Sequence, residues 1–213
     1  MDATRIIAIR HGETAWNVDT RIQGQLDIPL NATGVWQAGQ LARALADEPI
    51  TAVYASDLQR AFETARAVAD VHALQLQPTP GLRERAFGSF EGLTFADIEA
   101  KLPEQARLWR TREPAFRPGD TGESLLQFRE RVTTAVHAVA ERHVGEQIVV
   151  VGHGGVMDVL YRAATGQELQ APRTWKLGNA AINRLLWTPE GLSLVGWADD
   201  AHLARGELDD STA

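Results

Sequence analysis

Residues 6–14 read Ile-Ile-Ala-Ile-Arg-His-Gly-Glu-Thr, so an apolar run leads directly into Arg10 and His11. We interpret residues 5–9 as a buried strand. Its carboxyl end would then deliver an arginine and a histidine to the edge where open α/β sheets bind ligands. Because side chains alternate along a strand, both can reach that edge only if the chain turns, and Gly12 would permit the turn.

A second run of the same kind occurs late in the chain. Residues 148–151 read Ile-Val-Val-Val and are followed by Gly152, His153, Gly154 and Gly155. Two strands that each end in His-Gly predict two imidazoles at one sheet edge. The backbone amides of Gly154 and Gly155 would lie at the start of a helix, and helix N-termini favour anions.

Composition limits the classes of function that are open. The chain has 213 residues, 44% hydrophobic and 23% charged, with a formal net charge of −7 and no cysteine. These values are typical of a globular protein and disfavour a nucleic-acid partner. Disulfides and cysteine-ligated metals are excluded. No apolar stretch is long enough for a membrane span and no secretory leader is evident, so we expect a cytoplasmic enzyme without a membrane partner.

Apolar runs alternate with amphipathic patterns, which predicts an α/β fold with a mostly parallel sheet. We expect Asn31 or Thr33 to cap the first long helix, and Ser56 to cap the next with Gln59 as its capping-box partner. The predicted elements are strands at 5–9, 51–55, 75–78 and 147–152, helices at 34–47, 56–71, 123–143 and 156–165, and an antiparallel hairpin at 182–187 and 192–197.

The chain shows no composition break, which favours one domain over residues 1–198. Residues 81–122 are rich in glycine, proline and charge, with helical patches near 94–102 and 104–111. Long loops in compact domains are usually functional, so we interpret 81–122 as an excursion over the mouth of an active site. Residues 199–213 carry five acidic residues against one arginine, which predicts a mobile acidic tail.

The cationic residues near the two strand ends suggest a phosphate site. Arg60 lies early in the second helix and could face the same edge as Arg10, with Asn17 beside it. Two guanidinium groups, two imidazoles and helix amides suit a dianionic phosphoryl group and its transition state. A histidine nucleophile must be neutral, and the neighbouring cations favour that form.

The departing alkoxide also needs a proton donor. A bound phosphate favours the protonated form of a nearby carboxyl, which suits general acid catalysis. The residues alone leave four candidates open, namely Glu13, Glu84, Glu91 and Glu123.

A metal site is the main chemical alternative. His11 and His153 could be ligands, with Glu13 or Asp27 nearby. No pair of histidines has the helical spacing of common zinc sites, and the flanking arginines would repel a cation, so we expect no metal. We interpret the remaining four histidines as ordinary helix or loop residues: His72, His137, His143 and His202.

Taken in order along residues 4–188, these motifs resemble those of the histidine phosphatase superfamily, also called the phosphoglycerate mutase-like family. The matching blocks are Arg10-His11-Gly12-Glu13-Thr14-Ala15-Trp16-Asn17, Gln23-Gly24, Asp27 to Gly34 with Gln37-Ala38, Ser56-Asp57-Leu58-Gln59-Arg60-Ala61 with Thr64-Ala65, Leu82-Arg83-Glu84 with Gly88 and Glu91-Gly92, Gly122-Glu123-Ser124, and Gly152-His153-Gly154-Gly155.

The resemblance implies a three-layer α/β/α sandwich and a metal-independent reaction. It implies that His11 is the nucleophile and forms a phosphohistidine, and that Glu84 donates the proton to the leaving oxygen. The residues implied to bind the phosphoryl group or substrate are Arg10, Asn17, Gln23, Gly24, Arg60, His153 and the amide of Gly154.

Within this family, three features favour the phosphatase-type branch. The chain is shorter than the glycolytic mutases, Gln23 stands where those mutases usually have a small hydroxyl residue, and the excursion lacks their longer insertion. One feature favours a mutase: Trp109-Arg110-Thr111-Arg112 resembles the Trp-Arg-Arg segment that holds the glycerate carboxylate, although Thr111 displaces the second arginine. Arg110, Arg112 and Arg117 could still recognise an acidic substrate.

We therefore predict a phosphomonoesterase that acts on a small phosphorylated metabolite without a cofactor. The alternative is a phosphoglycerate mutase that uses 2,3-bisphosphoglycerate, and a remote alternative is an inactive phosphate-binding module. The sequence leaves the natural substrate open. It also leaves the oligomeric state open, a homodimer included, because exposed tryptophans could mark either an interface or a substrate pocket.

Overall fold

The computed structural model describes residues 3–204, which form a six-stranded sheet with helices on both faces. The strands are β1 (Thr4–Arg10), β2 (Ile50–Ala55), β3 (Leu76–Pro78), β4 (Gln147–Gly152), β5 (Ile182–Thr188) and β6 (Gly191–Asp199). Their order is β3-β2-β4-β1-β5-β6. The first four of these are mutually parallel, whereas β5 and β6 form an antiparallel hairpin. The predicted mostly parallel sheet is confirmed.

Most helices lie within a few residues of their predicted bounds. Within the described residues they are α1 (Ala15–Val18), α2 (Ala32–Leu45), α3 (Gln59–Val71), α4 (Phe95–Lys101), α5 (Pro103–Arg110), α6 (Leu125–Ala140) and α7 (Gly154–Thr165). Asn31, rather than Thr33, caps α2, since its Oδ1 accepts the Gly34 amide at 2.8 Å. The helix expected to continue to residue 143 ends at Ala140 and is followed by a 3₁₀ turn.

The predicted start of α3 at Ser56 is wrong. The helix begins at Gln59, whose amide donates to Asp27 Oδ1 at 2.7 Å. An incoming carboxylate therefore satisfies the helix N-terminus, and the Gln59 side chain bonds to Glu63 rather than back to the cap. Ser56 is fully buried, and its hydroxyl instead lies 2.8 Å from His153 Nε2.

Two apolar layers cover the two faces of the sheet. On one face, Ile7 and Ile9 of β1 pack in a core with α2 and α3. On the other, Ile6 and Ala8 pack in a core with α6 and α7. This alternation along β1 is the strand periodicity expected for a sheet buried on both sides. It produces the three-layer α/β/α sandwich and fixes β1 rigidly beneath the ligand-binding edge.

The excursion, residues 81–122, folds over that edge and contains α4 and α5. It has a small core of its own, built on Phe90, Ile98 and Ala106. Arg131 of α6 ties its base to the body of the protein by donating to the carbonyls of Gly81, Arg83 and Glu84. An antiparallel bridge between Arg21 and Thr94, with backbone hydrogen bonds between Ile22 and residues 92–93, ties the excursion to the loop after α1 as well.

The C-terminal expectation is wrong for its first residues. β6 extends to Asp199, and residues Ala201–Leu203 form a 3₁₀ turn. His202 Nε2 donates to the Ala180 carbonyl at 3.0 Å, which fastens this turn beside β5. The rest of the predicted mobile tail, residues 205–213, lies outside the described residues. No helix within 3–204 has the length and apolar character needed to cross a bilayer.

Candidate active site

The two predicted histidines meet at the carboxyl ends of neighbouring strands. Arg10 of β1 is in register with Gly152 of β4, and the His11 amide donates to the Gly152 carbonyl at 2.9 Å. The imidazole centroids of His11 and His153 lie 5.2 Å apart with an interplanar angle of 61°. The prediction of two imidazoles at one sheet edge is confirmed. Gly12 contributes by packing rather than by a special turn, because a Cβ there would lie 2.6 Å from the Gly34 carbonyl oxygen.

His11 has one nitrogen fixed and one free to react. Its Nδ1 lies 2.6 Å from the Gly12 carbonyl oxygen. Since a carbonyl only accepts, Nδ1 carries the proton and the lone pair of neutral His11 resides on Nε2. Burial, then the charges of Arg10 and Arg60, lower the pKa of His11 well below 6.5. The imidazole is therefore neutral and has the electronic form of a nucleophile at physiological pH.

His153 is completely buried behind His11. The Ser56 hydroxyl accepts the Leu58 amide at 3.3 Å, and within residues 3–204 its own proton has no acceptor other than His153 Nε2, so we assign Ser56 as the donor in that bond. That arrangement puts the imidazole proton on Nδ1, which has no hydrogen-bond partner. Burial, then the Arg60 charge, lowers the pKa of His153 well below 6.5. His153 thus presents one unsatisfied N–H donor.

Two arginines reach the same place, and neither forms a direct ion pair with a carboxylate of residues 3–204, although the Glu84 charge acts on both. Arg60 is fully buried, and its Nη1 and Nη2 donate to the carbonyls of Leu26 and Gly24 at 2.8 Å each. Arg10 Nη1 donates to the Leu177 carbonyl at 2.5 Å. Burial lowers the pKa of Arg10 and lowers that of Arg60 to about 10. Buried charges are costly unless they are paired, so both cations favour an incoming anion.

These groups surround a cavity of about 190 Å³, which we call the anion cavity. Its lining residues are Arg10, His11, Asn17, Arg21, Ile22, Gln23, Gly24, Arg60, Glu84, Phe87 and Gly154. All the residues that sequence analysis assigned to catalysis or phosphate binding line it, except His153, which lies behind its wall.

Asn17 contributes an available amide group to this cavity. Its Oδ1 accepts from the Thr14 amide at 3.0 Å and from Asn179 Nδ2 at 3.3 Å. These contacts consume the acceptor and leave Nδ2 to donate. Thr14 and Asn17 form the capping box of α1, so the first turn after β1 holds the Asn17 amide in place.

Unsatisfied polar atoms concentrate in the lining of the anion cavity and directly behind it. Among the described residues, six buried side-chain nitrogen or oxygen atoms lack a partner, and four of them belong to Arg10, Gln23, Arg60 and His153. Three of the four are N–H donors, and the fourth is the Gln23 amide oxygen. Buried polar groups are normally satisfied, so this concentration indicates a ligand with several acceptor oxygens. A phosphoryl group has them, and its P–OH form could also donate to Gln23.

Gly24 forms a wall of the cavity at a position where a side chain would be strained and would displace Glu91. Its φ of +52° is in the left-handed region, and a Cβ would lie 2.1 Å from Glu91 Oε1. Glu91 Oε1 accepts the amides of Gln25 and Phe87 at 3.1 and 3.0 Å. Glu91 therefore joins this loop to the excursion, while the Gly24 carbonyl remains free to hold Arg60.

Of the four carboxyl groups considered as proton donors, Glu84 is the one that lines the anion cavity. Its Oε2 accepts the Gly155 amide at 2.9 Å, and its Oε1 accepts the Arg85 amide at 2.8 Å. The other three are engaged elsewhere, Glu13 with Asn31, Glu91 with backbone amides and Glu123 with Arg131.

The candidate metal ligands do not assemble. Asp27 accepts the amide of Gln59, and Glu13 accepts from Asn31. Over residues 3–204, no group of three His, Asp or Glu side chains is arranged to hold a metal ion.

A second cavity, also about 190 Å³, adjoins the anion cavity and shares Glu84 and Phe87 with it. Its lining residues are Glu84, Arg85, Phe87, Trp109, Arg112, Leu125, Phe128, Gly155, Asp158, Val159, Leu169 and Arg173. Arg112 was predicted here from the sequence. Arg85, Asp158 and Arg173 were not, because long-range packing brings them into this wall and no local spacing signals it.

The other two arginines expected at the mouth lie elsewhere. Arg110 pairs with Glu99 on α4, and Arg117 Nε donates to the Gly122 carbonyl at 2.9 Å. Neither lines the anion cavity or the second cavity. Trp109 of the same segment does line the second cavity. The sequence left open whether the tryptophans mark an interface or a pocket, and Trp109 belongs to a pocket.

Known proteins resemble this chain along most of its length. A family model described as histidine phosphatase superfamily (branch 1) matches residues 6–200. The chain is 37% identical over 206 residues to phosphoglycerate mutase-like protein 4 of Arabidopsis thaliana, covering 95% of this chain and 88% of that protein. It is 36% identical over 205 residues to the metal-independent phosphoserine phosphatase of Arabidopsis thaliana, covering 95% and 84%.

A solved structure shares the fold. Phosphoserine phosphatase from Entamoeba histolytica, in complex with 3-phosphoglyceric acid, superposes with a TM-score of 0.84 and 26% sequence identity, covering 94% of this chain and 99% of that one.

Proposed function

The chain belongs to the histidine phosphatase superfamily, and we propose that it hydrolyses phosphate monoesters of a small metabolite through a phosphohistidine at His11. The observation that carries this proposal is the set of partnerless polar atoms around neutral His11. Donors that are already fixed in place before a phosphoryl group arrives need little reorganisation in the transition state. The likeness to a metal-independent phosphoserine phosphatase supports a reaction without a metal.

In the first step, His11 Nε2 attacks phosphorus with its lone pair as the bond to the ester oxygen breaks. Glu84 gives its proton to that oxygen, so the leaving group departs as an alcohol. Arg10, Arg60 and His153 donate hydrogen bonds to the phosphoryl oxygens as charge spreads over them.

In the second step, water replaces the alcohol and attacks the phosphohistidine. The Glu84 carboxylate takes one proton from the water, and the bond between phosphorus and Nε2 breaks with its electron pair returning to His11. Inorganic phosphate leaves, and both residues regain their starting protonation states.

The mutase alternative differs only in the acceptor, a bound hydroxyl instead of water, and would use 2,3-bisphosphoglycerate to charge His11. The name of the first Arabidopsis relative supports it. The phosphatase is better supported, because the other two proteins compared are named phosphoserine phosphatases. We propose a substrate of about the size of phosphoserine or 3-phosphoglycerate.

The experiment follows 3-phosphoglycerate by phosphorus NMR with the purified protein, with and without 2,3-bisphosphoglycerate. We expect inorganic phosphate to grow in without 2-phosphoglycerate, in the presence of EDTA as well. Accumulation of 2-phosphoglycerate that the bisphosphate accelerates would instead establish the mutase.

The phosphohistidine is tested by rapid acid-free quenching and peptide mapping with a labelled monoester. His11→Ala should remove the label and lower turnover by at least about 10⁴-fold, while His72→Ala should change neither. A protein that binds phosphate but never acquires label would be the inactive binding module.

A further inference from the structure

We propose that a third cavity, which shares Arg10 and Gly154 with the anion cavity, binds a second oxyanion such as inorganic phosphate. We call it the cationic cavity. An oxyanion held there would weaken phosphoryl binding at His11, because both anions would draw on the Arg10 charge. The site itself does not depend on the proposed function. Inorganic phosphate as its natural ligand does, since the proposed reaction releases phosphate beside Arg10.

The cationic cavity has a volume of about 610 Å³ and concentrates positive charge. Its lining comes from Arg10, the first two residues of α7, and Arg173 with residues 175–178 of the loop before β5. Arg10, Arg173 and Lys176 are its charged residues, and no acidic residue within 3–204 lines it. In a chain whose formal net charge is −7, a cluster of cations beside a helix N-terminus favours an anionic ligand.

Arg173 and Lys176 have cationic groups that no protein group neutralises. Both residues are exposed, and within residues 3–204 neither side chain forms a hydrogen bond or an ion pair. The Arg173 charge also reaches Arg10. Burial is the largest cause that lowers the pKa of Arg10, the Glu84 charge opposes this shift, and the Arg173 charge adds to it. An anion bound between these cations would offset their mutual repulsion.

Trp175 adds a buried donor to the same cavity. The residue is 9% exposed, and its Nε1 has no hydrogen-bond partner among the described residues. Tyr161 stacks on the ring at a centroid distance of 4.1 Å, and the Arg162 guanidinium carbon lies 4.7 Å from the ring centroid. Two groups cannot occupy one face at these distances, so both faces of the indole are covered. The remaining edge carries Nε1–H, which an oxyanion can accept and an aromatic ligand cannot use for stacking.

Arg10 links the cationic cavity to the phosphoryl site. Its Nη1 donates to the carbonyl of Leu177, a residue of the cationic cavity, and its Nε is buried without a partner. This hydrogen bond fixes the guanidinium at the boundary of the two cavities and leaves other donors free. Anions in both cavities then share one cation, so each lowers the affinity of the other, and linkage makes the two effects equal.

The leaving group of a substrate has a different place. Glu84, the proposed proton donor, lines the anion cavity and the second cavity but not the cationic cavity. An ester oxygen directed at Glu84 sends the leaving group past that residue into the second cavity. The cationic cavity therefore stays open to a separate anion while a substrate is bound.

Equilibrium dialysis with labelled inorganic phosphate at low ionic strength counts the bound anions. We expect two phosphates per wild-type chain. Arg173→Gln with Lys176→Gln should weaken one of them by at least about tenfold, and Arg60→Ala should weaken the other. The control, Lys101→Gln with Arg129→Gln, removes one exposed lysine and one exposed arginine that line none of the three cavities, and it should keep both phosphates.

The double variant also contains its own test of folding. Because Arg173 and Lys176 are exposed and unpaired, their substitution should not disturb the core. The phosphate that depends on Arg60 should therefore still bind to the Arg173→Gln, Lys176→Gln protein with wild-type affinity.

Nuclear magnetic resonance tests the place of the second phosphate. The indole N–H resonance of Trp175, assigned by its absence in Trp175→Phe, should shift as that phosphate binds. It should not shift in Arg173→Gln with Lys176→Gln. Because phenylalanine retains an aromatic ring but lacks the donor, Trp175→Phe should weaken the second phosphate about threefold or more.

Kinetics test the coupling through Arg10. For hydrolysis of 4-nitrophenyl phosphate, inorganic phosphate should raise the apparent KM of the wild type more steeply than linearly, since two phosphates oppose one substrate. In Arg173→Gln with Lys176→Gln the rise should become linear, as for competition at a single site. Lys101→Gln with Arg129→Gln should keep the wild-type curve, and a linear rise in the wild type would overturn the coupling.

The inference and the proposed function fail in different ways. One phosphate per wild-type chain, bound equally by Arg173→Gln with Lys176→Gln, would overturn the inference while hydrolysis of 4-nitrophenyl phosphate still supported the proposed function. Two phosphates with the expected dependence on the variants, in a protein that hydrolyses no ester, would support the oxyanion site and overturn the proposed function.

Discussion

The anion cavity and the second cavity are adjacent and about equal in size, but different structural elements form their walls. The first is anchored at strand ends and the start of helices, with its donors fixed by carbonyls of short loops. The second is a junction between the excursion and α7, held by side-chain pairs such as Arg112 with Asp158. A rigid sheet edge can keep donors unsatisfied for an anion, whereas a wall of excursion side chains can change its selectivity without disturbing that edge.

Glu84 lines both the anion cavity and the second cavity. Its substitution should give the largest loss of activity among the changes that distinguish the two cavities. Glu84→Gln should lower kcat by about 10²–10⁴ for alkyl phosphates and much less for 4-nitrophenyl phosphate, because an aryloxide departs without protonation. Steady-state kinetics on both ester types measure the difference. Glu104→Gln, exposed within the excursion, is the matched control, and equal losses for both esters would contradict the role of Glu84 as acid.

Arg60→Ala should weaken transition-state binding in the anion cavity and leave the second cavity unchanged. Removal of one pre-aimed transition-state donor costs about 10²–10³ in kcat, and the loss should be the same for every leaving group. Kinetics across alkyl and aryl phosphate esters test both the size and the uniformity. Arg66→Ala, an exposed arginine of the same helix, should match wild type, and a leaving-group-dependent loss in Arg60→Ala would argue that the two cavities are not separable.

Acid should destabilise the sheet edge through its two buried histidines. The pKa values of His11 and His153 are well below 6.5 in the folded protein, by burial first and by the neighbouring charges second. Between those values and 6.5 the unfolded chain binds more protons, so the stabilisation is complete above pH 6.5 and is lost as pH falls. Each histidine contributes a slope of about 1.4 kcal/mol per pH unit.

Urea unfolding between pH 7.5 and 5.5 measures this slope. His153→Asn should flatten it by about the share of one histidine, while Ser56→Ala, which retains both imidazoles, should keep the wild-type slope. The excursion contains no histidine, so substitutions there should leave the slope unchanged. An identical slope in His153→Asn would show that its imidazole does not titrate in this way.

Ser56→Ala should give the smallest effect on activity. Loss of the hydrogen bond that orients His153 should cost about 1 kcal/mol, or roughly fivefold in kcat/KM, equally for all esters because the bond acts on the phosphoryl group. Ser89→Ala in the excursion is the control. A loss of activity confined to one leaving group would contradict the assignment of Ser56 to the phosphoryl-binding side of the site.

The sequence was most informative where local pattern and site coincide. The apolar runs before His11 and His153 predicted two parallel strands and their shared edge, since strand periodicity and a His-Gly ending are local signals. The start of α3 was predicted wrongly, because Asp27 arrives from a distant loop to cap it. Because Asp27 caps the helix, Ser56 is available to bond to His153. A capping rule that considers only neighbouring residues cannot predict this long-range contact.

The second cavity was beyond prediction for the same reason. Arg110 looked equivalent to Arg112 in the sequence, yet one pairs with Glu99 on the surface and the other reaches Asp158 on α7. Arg173 stands in a segment without a motif, and its relevance depends on the packing of the loop before β5 against Arg10. Such positions are set by tertiary contacts among residues far apart in the chain.

The strand order has a consequence for how the protein is made. β1 is hydrogen-bonded to β4 on one side and to β5 on the other, and both neighbours come from the last third of the chain. During synthesis, β1 cannot pair with β4 until residues 147–152 have emerged, nor with β5 until residues 182–188 have emerged, so the nascent chain exposes an unpaired apolar edge for most of its translation. Pairing across such distances is slow. Folding of the sheet centre and assembly of the His11 site are therefore one late event, and a chain shortened before β4 lacks both.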